Sequence, residues 1–329
     1  MDKSLGLEGT TFFIHLQGEQ GQHPTGYVGD DQTTDNIEAA VDTGLVYEAW
    51  LQKSMEQGRF SALLGLYDLN SEFYVNAPAA LFINSSFGVG RDLSQTGKNG
   101  PSIFPVTSVA LRLRAQPSTE YYVQTALLDG VSGDPKHPYG THIIFKNTDG
   151  YLWVSEIGWT PSENNQGEYI GKIALGTWTY TATFDHLTQK DGSGNPTQKI
   201  NTGYYFLVDY YLTKDAALFF RYGEAMEAVN SMKSNLSGGV YVKGLLPKRG
   251  EDELGLGVAI ATRSKYYKQA QIADGSRSED AETAYELTYK YVFNDRFSVQ
   301  PDLQYVVNPG TDPSLKDSLS GILRLRYSF

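Results

Sequence analysis

The chain ends with the sequence SLSGILRLRYSF, residues 318–329. One set of alternate positions is apolar apart from a glycine and comprises Leu319, Gly321, Leu323, Leu325, Tyr327 and Phe329. The intervening set is mostly polar and comprises Ser320, Ile322, Arg324, Arg326 and Ser328. A period of two with one apolar face predicts a half-buried β-strand. A terminal phenylalanine on that face would be exposed in water, and it suits a strand that faces lipid.

The same alternation recurs upstream. Residues 285–293 place tyrosine, leucine and phenylalanine on one face, and the short turn 294–296 joins them to a similar stretch at 297–305. Further candidate strands lie at 9–19, 36–54, 58–68, 107–115, 120–129, 150–160, 168–185, 204–212, 218–222, 235–246 and 252–267. About fourteen strands, joined alternately by short turns and longer polar loops, predict an all-β protein. We expect a transmembrane antiparallel β-barrel in the bacterial outer membrane, forming a single domain over residues 1–329.

Composition supports this fold and excludes several others. The 23 tyrosines and 34 glycines suit strands, tight turns and aromatic girdles at membrane interfaces. The mean hydropathy of -0.37 looks soluble, but a membrane barrel spreads its apolar residues over alternate positions. A soluble β-sandwich is the alternative, although its strands are usually shorter. The net charge of -11 argues against nucleic acid as a partner, and the absence of cysteine excludes disulfides and thiolate metal sites.

One connection is unusually long and apolar. Residues 70–105 read NSEFYVNAPAALFINSSFGVGRDLSQTGKNGPSIFP, and they include Phe73, Leu81, Phe82 and Ile83. Because a surface loop rarely carries such residues, we expect 69–105 to fold into the barrel and narrow the lumen as a constriction loop. The alternative is a loop that packs against a neighbouring protomer.

Several motifs resemble the OprB-type carbohydrate-selective porins. They are VDTGLVYEAWLQ at 41–52, YDLNSEF at 67–73, LFINSSFGVG at 81–90, GPSIFPVTSVALRLR at 100–114, ALLDGVSGDP at 126–135, GTH at 140–142 and NPG at 308–310. The resemblance implies a 16-stranded barrel and diffusion of glucose and related small sugars through a loop-constricted, charged and aromatic pore. Members of the family have a signal peptide and further N-terminal strands, which we expect to be missing here. The resemblance also favours a monomer or a weak homotrimer.

A passive sugar pore needs arginine donors, carboxylate acceptors and aromatic faces along a wet lumen. The alternation of the strands and the two ends of the long loop predict thirteen such residues in an eyelet. They are Glu48, Trp50, Arg59, Asp68, Asn70, Arg91, Asp92, Arg112, Arg114, Arg221, Lys243, Arg324 and Arg326. The alternative is that inward charges merely solvate a water-filled barrel.

Other functions have weaker support in the sequence. A general or other-solute porin is the nearest alternative, and an outer-membrane enzyme is the next. Only five histidines exist and none accompanies a serine motif, so we expect no catalysis, no cofactor and no metal site. Acidic clusters at 30–31, 251–253 and 279–280 are expected on external loops. Small sugars, membrane lipid and lipopolysaccharide are the expected partners of the protein.

Overall fold

The computed structural model describes residues 7–161 and 170–329. They form one sheet of fourteen antiparallel strands paired in sequence order, which confirms the predicted all-β fold and strand number. The strands are β1 (Thr10–Glu19), β2 (Thr43–Met55), β3 (Phe60–Tyr67), β4 (Ser108–Ala115), β5 (Tyr121–Asp129), β6 (Tyr151–Trp159), β7 (Gly171–Lys190), β8 (Pro196–Thr213), β9 (Ala216–Ala225), β10 (Met232–Lys243), β11 (Glu253–Arg263), β12 (Ala281–Asn294), β13 (Phe297–Val307) and β14 (Ser318–Tyr327).

Several strand boundaries differ from the prediction, most of all those of β2, β7 and β8. The candidate strand at 36–54 begins only at Thr43, because 36–42 belong to an inward-folded loop. Strands β7 and β8 are 20 and 18 residues long and extend past both neighbours as a hairpin, where 183–190 pair only with 196–200. The predicted start of β7, residues 168–169, lies outside the described residues.

The helices are short and lie in the connections. They are α1 (Thr25–Val28) between β1 and β2, α2 (Arg91–Ser94) in the long loop, and α3 (Lys265–Ala273) between β11 and β12. In the part of the chain that the structure describes, none of them has the length and apolar character needed to cross a bilayer.

The two ends of the sheet differ in the length of their connections. At one end, four of the six connections (β2–β3, β4–β5, β8–β9 and β12–β13) have at most five residues. At the other end, the connections are longer except for the five-residue turn between β7 and β8. Short turns mark the periplasmic end of an outer-membrane barrel. The acidic cluster 251–253 lies at this end, directly before and at the start of β11, so its prediction as an external loop is wrong. Asp30 of the 30–31 cluster is buried rather than displayed outside.

The strands present one apolar face outward. In β6, Trp153 and Ile157 on that face are more than half exposed, whereas Leu152, Val154 and Glu156 on the other are buried. The exposed apolar face is the surface that lipid covers in an outer-membrane barrel. The first and last strands of the sheet, β1 and β14, are not paired with each other within the described residues, so the sheet retains two free edges.

Residues 69–105 lie against the inner face of the sheet. Phe73 and Ile83 have no exposed surface, and Phe82 has 1%. Phe82 stacks on Phe87 with 4.4 Å between ring centroids, and both pack edge-on against Phe219 of β9. The apolar residues that singled out this loop in the sequence therefore serve to pack it onto the barrel wall.

A glycine of the wall makes room for this packing. A Cβ placed on Gly257 of β11 would lie 2.8 Å from ring atoms of both Phe82 and Phe87. Such contacts are far inside van der Waals range, and neither stacked ring can move without displacing the other.

We predict that Gly257→Val releases the loop. Trypsin should then cleave after Arg91, whose side chain is only 23% exposed in the packed loop, while the sheet keeps its circular dichroism. Gly321→Val is the matched control, because a Cβ there meets no atom within 4 Å. Equal protection of Arg91 in both variants would show that the aromatic packing does not hold the loop.

Candidate pore constriction

Carboxylates of the barrel wall hold the backbone of the long loop. Glu286 of β12 accepts hydrogen bonds from the backbone N–H groups of Ile83, at 2.6 Å, and Asn84, at 3.0 Å. Glu156 of β6 accepts from the N–H of Tyr74 at 3.0 Å. An irregular backbone that is buried has no strand partner, so these carboxylates supply acceptors that water would otherwise provide.

Asp209 of β8 repeats this arrangement. It accepts from the side-chain amide of Asn76 at 2.7 Å and from the backbone N–H of Ala77 at 3.1 Å. The loop is therefore attached to three strands of the wall, which are β6, β8 and β12.

Arg221 of β9 binds the loop's carbonyl groups. Its guanidinium has no exposed surface and lies 4.9 Å from the ring centroid of Tyr74. It donates to the carbonyl oxygens of Tyr74, Ser86, Phe87 and Gly88. Arg221, predicted as an eyelet cation, is thus buried beneath the loop and positions it, instead of meeting solute.

The β1–β2 connection, residues 20–42, forms a second inner segment. Glu282 of β12 accepts from the N–H groups of Asp31, at 2.8 Å, and Gln32, at 2.9 Å. Arg263 of β11 donates to Asp31 at 2.5 Å. The sequence does not indicate that this segment folds inward, because the segment lacks an apolar run. Its repeated Asp, Asn, Gln and Thr residues are typical of a solvated loop.

Arg324 fastens the same segment to β14. It forms an ion pair with Asp35 and donates to the side-chain oxygen of Asn36 at 2.7 Å. Arg91 of α2 lies 4.0 Å from Asp31, which links the long loop to the β1–β2 segment. Two inward-folded segments, and not one, therefore narrow the interior.

Arg112 of β4 is 2% exposed and fully engaged. It donates to both oxygens of Glu72, at 2.7 and 3.2 Å, to Ser61 at 2.6 Å and to Gln52 at 2.5 Å. Arg112 therefore ties the loop's first turn to the wall. Its neighbour Arg114 donates to Gln124 and lies 4.4 Å from the ring centroid of Tyr122.

Glu48, Trp50 and Asp68 meet on the inner face of β2 and β3. The indole of Trp50 donates to Glu48 at 3.2 Å, and the backbone N–H of Asp68 donates to the same oxygen at 3.3 Å. The ring of Phe13 stacks on Trp50 with a centroid separation of 5.0 Å and an angle of 25°. His15 lies 4.0 Å from Glu48.

The inner face of β1 and β2 stays partly exposed to solvent. Phe13 is 39% exposed and the side chain of His15 is 44% exposed, whereas the loop buries much of the inner face of the strands from β3 to β13. The sequence does not single out Phe13, because the rest of β1 is almost equally apolar on both faces. Its position opposite Trp50 in the β1–β2 register would have indicated it.

The remaining predicted residues are scattered. Asp92 is buried and accepts from the hydroxyl of Tyr74 at 2.9 Å, and Asn70 donates within the loop. Arg59 was predicted to lie on a strand, and this prediction is wrong. It lies exposed in the β2–β3 turn, because β3 begins only at Phe60. Lys243 pairs with Glu251 at 2.8 Å at the short-turn end.

Two cavities contain five of the predicted residues. One of about 510 Å³ opens at the long-loop end and is lined by Asp68, Asn70 and Arg91. Another of about 710 Å³ lies towards the short-turn end and is lined by Arg324 and Arg326. The predicted single eyelet is therefore divided between two ends of the lumen. Residues 7–161 and 170–329 contain no group of three or more His, Cys, Asp or Glu residues placed to hold a metal ion.

Comparison with known proteins identifies relatives of the whole chain. Residues 1–329 match the family model described as carbohydrate-selective porin, OprB family. Porin B of Pseudomonas aeruginosa is 23% identical over 367 residues, an alignment that covers all of this chain and 79% of that protein. The high-pH structure of Pseudomonas putida OprB superposes with a TM-score of 0.85 at 19% identity and covers 99% of this chain and 84% of that one. The outer membrane channel DcaP of Acinetobacter baumannii gives a TM-score of 0.60 at 11% identity, with 97% and 80% coverage.

We predict that Arg221→Met makes the channel wider and noisier. The substitution keeps the aliphatic stem but leaves four loop carbonyls without their donor, so the loop should leave the wall more often. Single-channel recording should show a higher mean conductance and larger open-state fluctuations. Arg277→Met, at an exposed arginine, should resemble the unmodified protein. Quiet, unchanged channels from Arg221→Met would contradict a positioning role.

The loop should also respond to pH through Asp92. Burial raises the pKa of this carboxyl to about 7, against the opposing hydrogen bond from Tyr74 and the charge of Arg221. Because the pKa of Asp92 is raised from 3.8 to about 7 when the loop is packed, packing is most stable below the lower value and loses stability as pH rises from there to about 7. Open-channel noise should therefore increase across that pH range.

Asp92→Asn should abolish this increase, because the amide cannot ionise. Asp312→Asn, in the exposed β13–β14 loop, should leave it in place. A pH dependence that survives Asp92→Asn would place the responsible group elsewhere.

Proposed function

The chain belongs to the OprB family of carbohydrate-selective porins of the outer membrane, and we propose that it passes glucose-like monosaccharides and related small sugars by facilitated diffusion. The pore that we propose runs between the two inner segments and the inner face of β1 and β2. Passage involves no energy coupling and no catalytic step.

The stacked pair Phe13 and Trp50 carries this proposal. Two rings 5.0 Å apart on the inner face present an apolar platform beside water. The C–H face of a pyranose packs well on such rings, whereas the hydroxyl rim needs polar partners.

Hydrogen-bond acceptors and a histidine lie beside this aromatic platform. Glu48 lies next to Trp50 and supplies a carboxylate acceptor, while His15 is 4.0 Å from Glu48 and lies on the same face. Asp68 and Asn70 line the cavity at the long-loop end of this sector. A sugar that enters from outside thus meets acceptors first and the aromatic platform next.

Weak contacts suit a passive channel. Each hydrogen bond to a sugar hydroxyl replaces one to water, so the net gain per contact is small, about 0.5–1.5 kcal/mol. Occupancy therefore rises at the platform while exchange stays fast. Arg112 and Arg221 shape the passage from beneath the loop without touching the sugar.

The alternative function is a general diffusion porin, in which the inner polar residues only solvate the lumen. The two proposals differ in one property, which is whether current through the open channel falls when a neutral sugar is added.

We also propose that the barrel contains two further strands between β14 and β1. The free edges of these strands would leave backbone N–H and C=O groups unsatisfied in hydrocarbon. Two additional strands would give the sixteen that the family resemblance implies. Each barrel would then work as an independent channel, as a monomer or within a loose trimer.

We predict that glucose reduces the single-channel current of the protein purified from outer membranes. Phe13→Ala combined with Trp50→Ala should weaken this block at least severalfold, because each lost aromatic contact contributes about 0.5–1.5 kcal/mol.

Trp159→Ala is the matched control, since Trp159 lies on the outer face and is 38% exposed. Glucose block that is as strong in the control as in the unmodified protein, and weaker only in the double variant, would support the platform. Channels whose current ignores glucose in every variant, the unmodified protein included, would favour a general porin.

A further inference from the structure

The two mouths of the lumen carry opposite charge. The cavity at the long-loop end is lined by the carboxylates of Glu19, Glu38, Asp68 and Asp134 against the single guanidinium of Arg91. The cavity of about 710 Å³ towards the short-turn end is lined by Lys214, Lys290, Arg324 and Arg326 against the single carboxylate of Glu253. A chain with a net charge of -11 has therefore concentrated cations at one place.

Two of these cations are already paired. Lys290 contacts Glu253 at 2.5 Å, and Arg324 forms its ion pair with Asp35. Such pairs bring little net charge to a ligand.

The side chains of the other two, Lys214 and Arg326, have no hydrogen-bond or ion-pair partner among the described residues. Arg326 also lines the adjoining cavity of about 390 Å³, where the cations face the carboxylates of Glu251, Glu253 and Asp295. The excess of positive charge in the larger cavity thus favours an anion, and the fork of Arg326 matches a planar carboxylate.

The rest of the larger cavity suits a sugar ring. Tyr211 and Tyr241 contribute aromatic surface, and Tyr241 donates to Glu253 at 2.8 Å. Gln300 donates to the carbonyl of Leu81 at 2.7 Å and to Thr288 at 2.8 Å, which leaves its carbonyl oxygen as an acceptor. The volume lies within the ~300–1,000 Å³ typical of small-molecule sites.

We propose that this cavity is a second station that binds anionic monosaccharides, which carry a carboxylate or a phosphate ester, at the periplasmic side of the pore. The proposal rests on the porin function argued above, but it concerns a different end of the lumen and a different class of sugar. Lys214 and Arg326 bind the anionic group, and Tyr211, Tyr241 and Gln300 contact the ring.

The experiment compares three sugars with the same ring: glucose, glucuronate and glucose 6-phosphate. Each is added on the short-turn side of single channels in about 0.1 M KCl, where the Debye length is still about 10 Å. Glucuronate should block at a roughly tenfold lower concentration than glucose, the effect of one charge-assisted contact. A still stronger block by glucose 6-phosphate would assign the station to phosphate esters.

Lys214→Gln combined with Arg326→Gln should remove the preference for the anionic sugars and leave glucose block intact. Arg59→Gln is the matched control, since Arg59 is an exposed cation of a turn at the same end and lines neither cavity.

The outcomes separate this station from the sugar platform. Equal block by glucose and glucuronate would overturn the anion station and leave the proposed function standing. Block by glucuronate without block by glucose would support the station and contradict the proposed passage of neutral sugars. An anion preference that persists in the double variant, or disappears in Arg59→Gln, would also overturn the assignment.

Discussion

The architecture of this protein depends on hydrogen bonds from its wall to an irregular backbone that lies inside it. A segment folded into a barrel loses water as a partner and has no neighbouring strand, so every buried N–H and C=O group needs another acceptor or donor. The wall answers with carboxylates for N–H groups, as at Glu286, and with the guanidinium of Arg221 for carbonyl groups. The inner segments are thus attached to the sheet by hydrogen bonds from its side chains.

The fold was readable from the sequence because a strand with one face in lipid must alternate. The final stretch before Phe329 and the tyrosine-rich run at 285–293 alternate for this reason, and both form strands. The inward course of 69–105 was readable too, since Phe82 and Ile83 have no place on a surface loop. The inward course of the β1–β2 segment was not readable, because the segment is attached through backbone N–H groups, which almost every residue carries. Glu282 accepts these hydrogen bonds, but in the sequence it looks like any other inward charge.

The candidate site was harder to predict for a related reason. Alternation tells which face a side chain occupies, but not whether a loop later covers it. Arg112, Arg221 and Arg326 all lie on the inner face, yet the first two are buried under the loop and only the third meets water. The same distinction moves the sugar platform to Phe13 and Trp50, in the sector that the inner segments leave open, and separates it from the basic cavity at the opposite end. The sugar path that we propose therefore follows the uncovered sector.

The account requires that the long loop stays on the wall while the channel conducts. Residues 1–329 contain no cysteine, so a single introduced pair can be cross-linked cleanly. Asn76 and Asp209 lie in contact, with 2.7 Å between their side-chain atoms, and both can be replaced by cysteine and joined with a short bifunctional thiol reagent. We expect efficient cross-linking and channels whose conductance equals that of the unlinked variant. A folded barrel in which the pair does not cross-link, or in which cross-linking changes the conductance, would contradict a loop that is held in place by the wall.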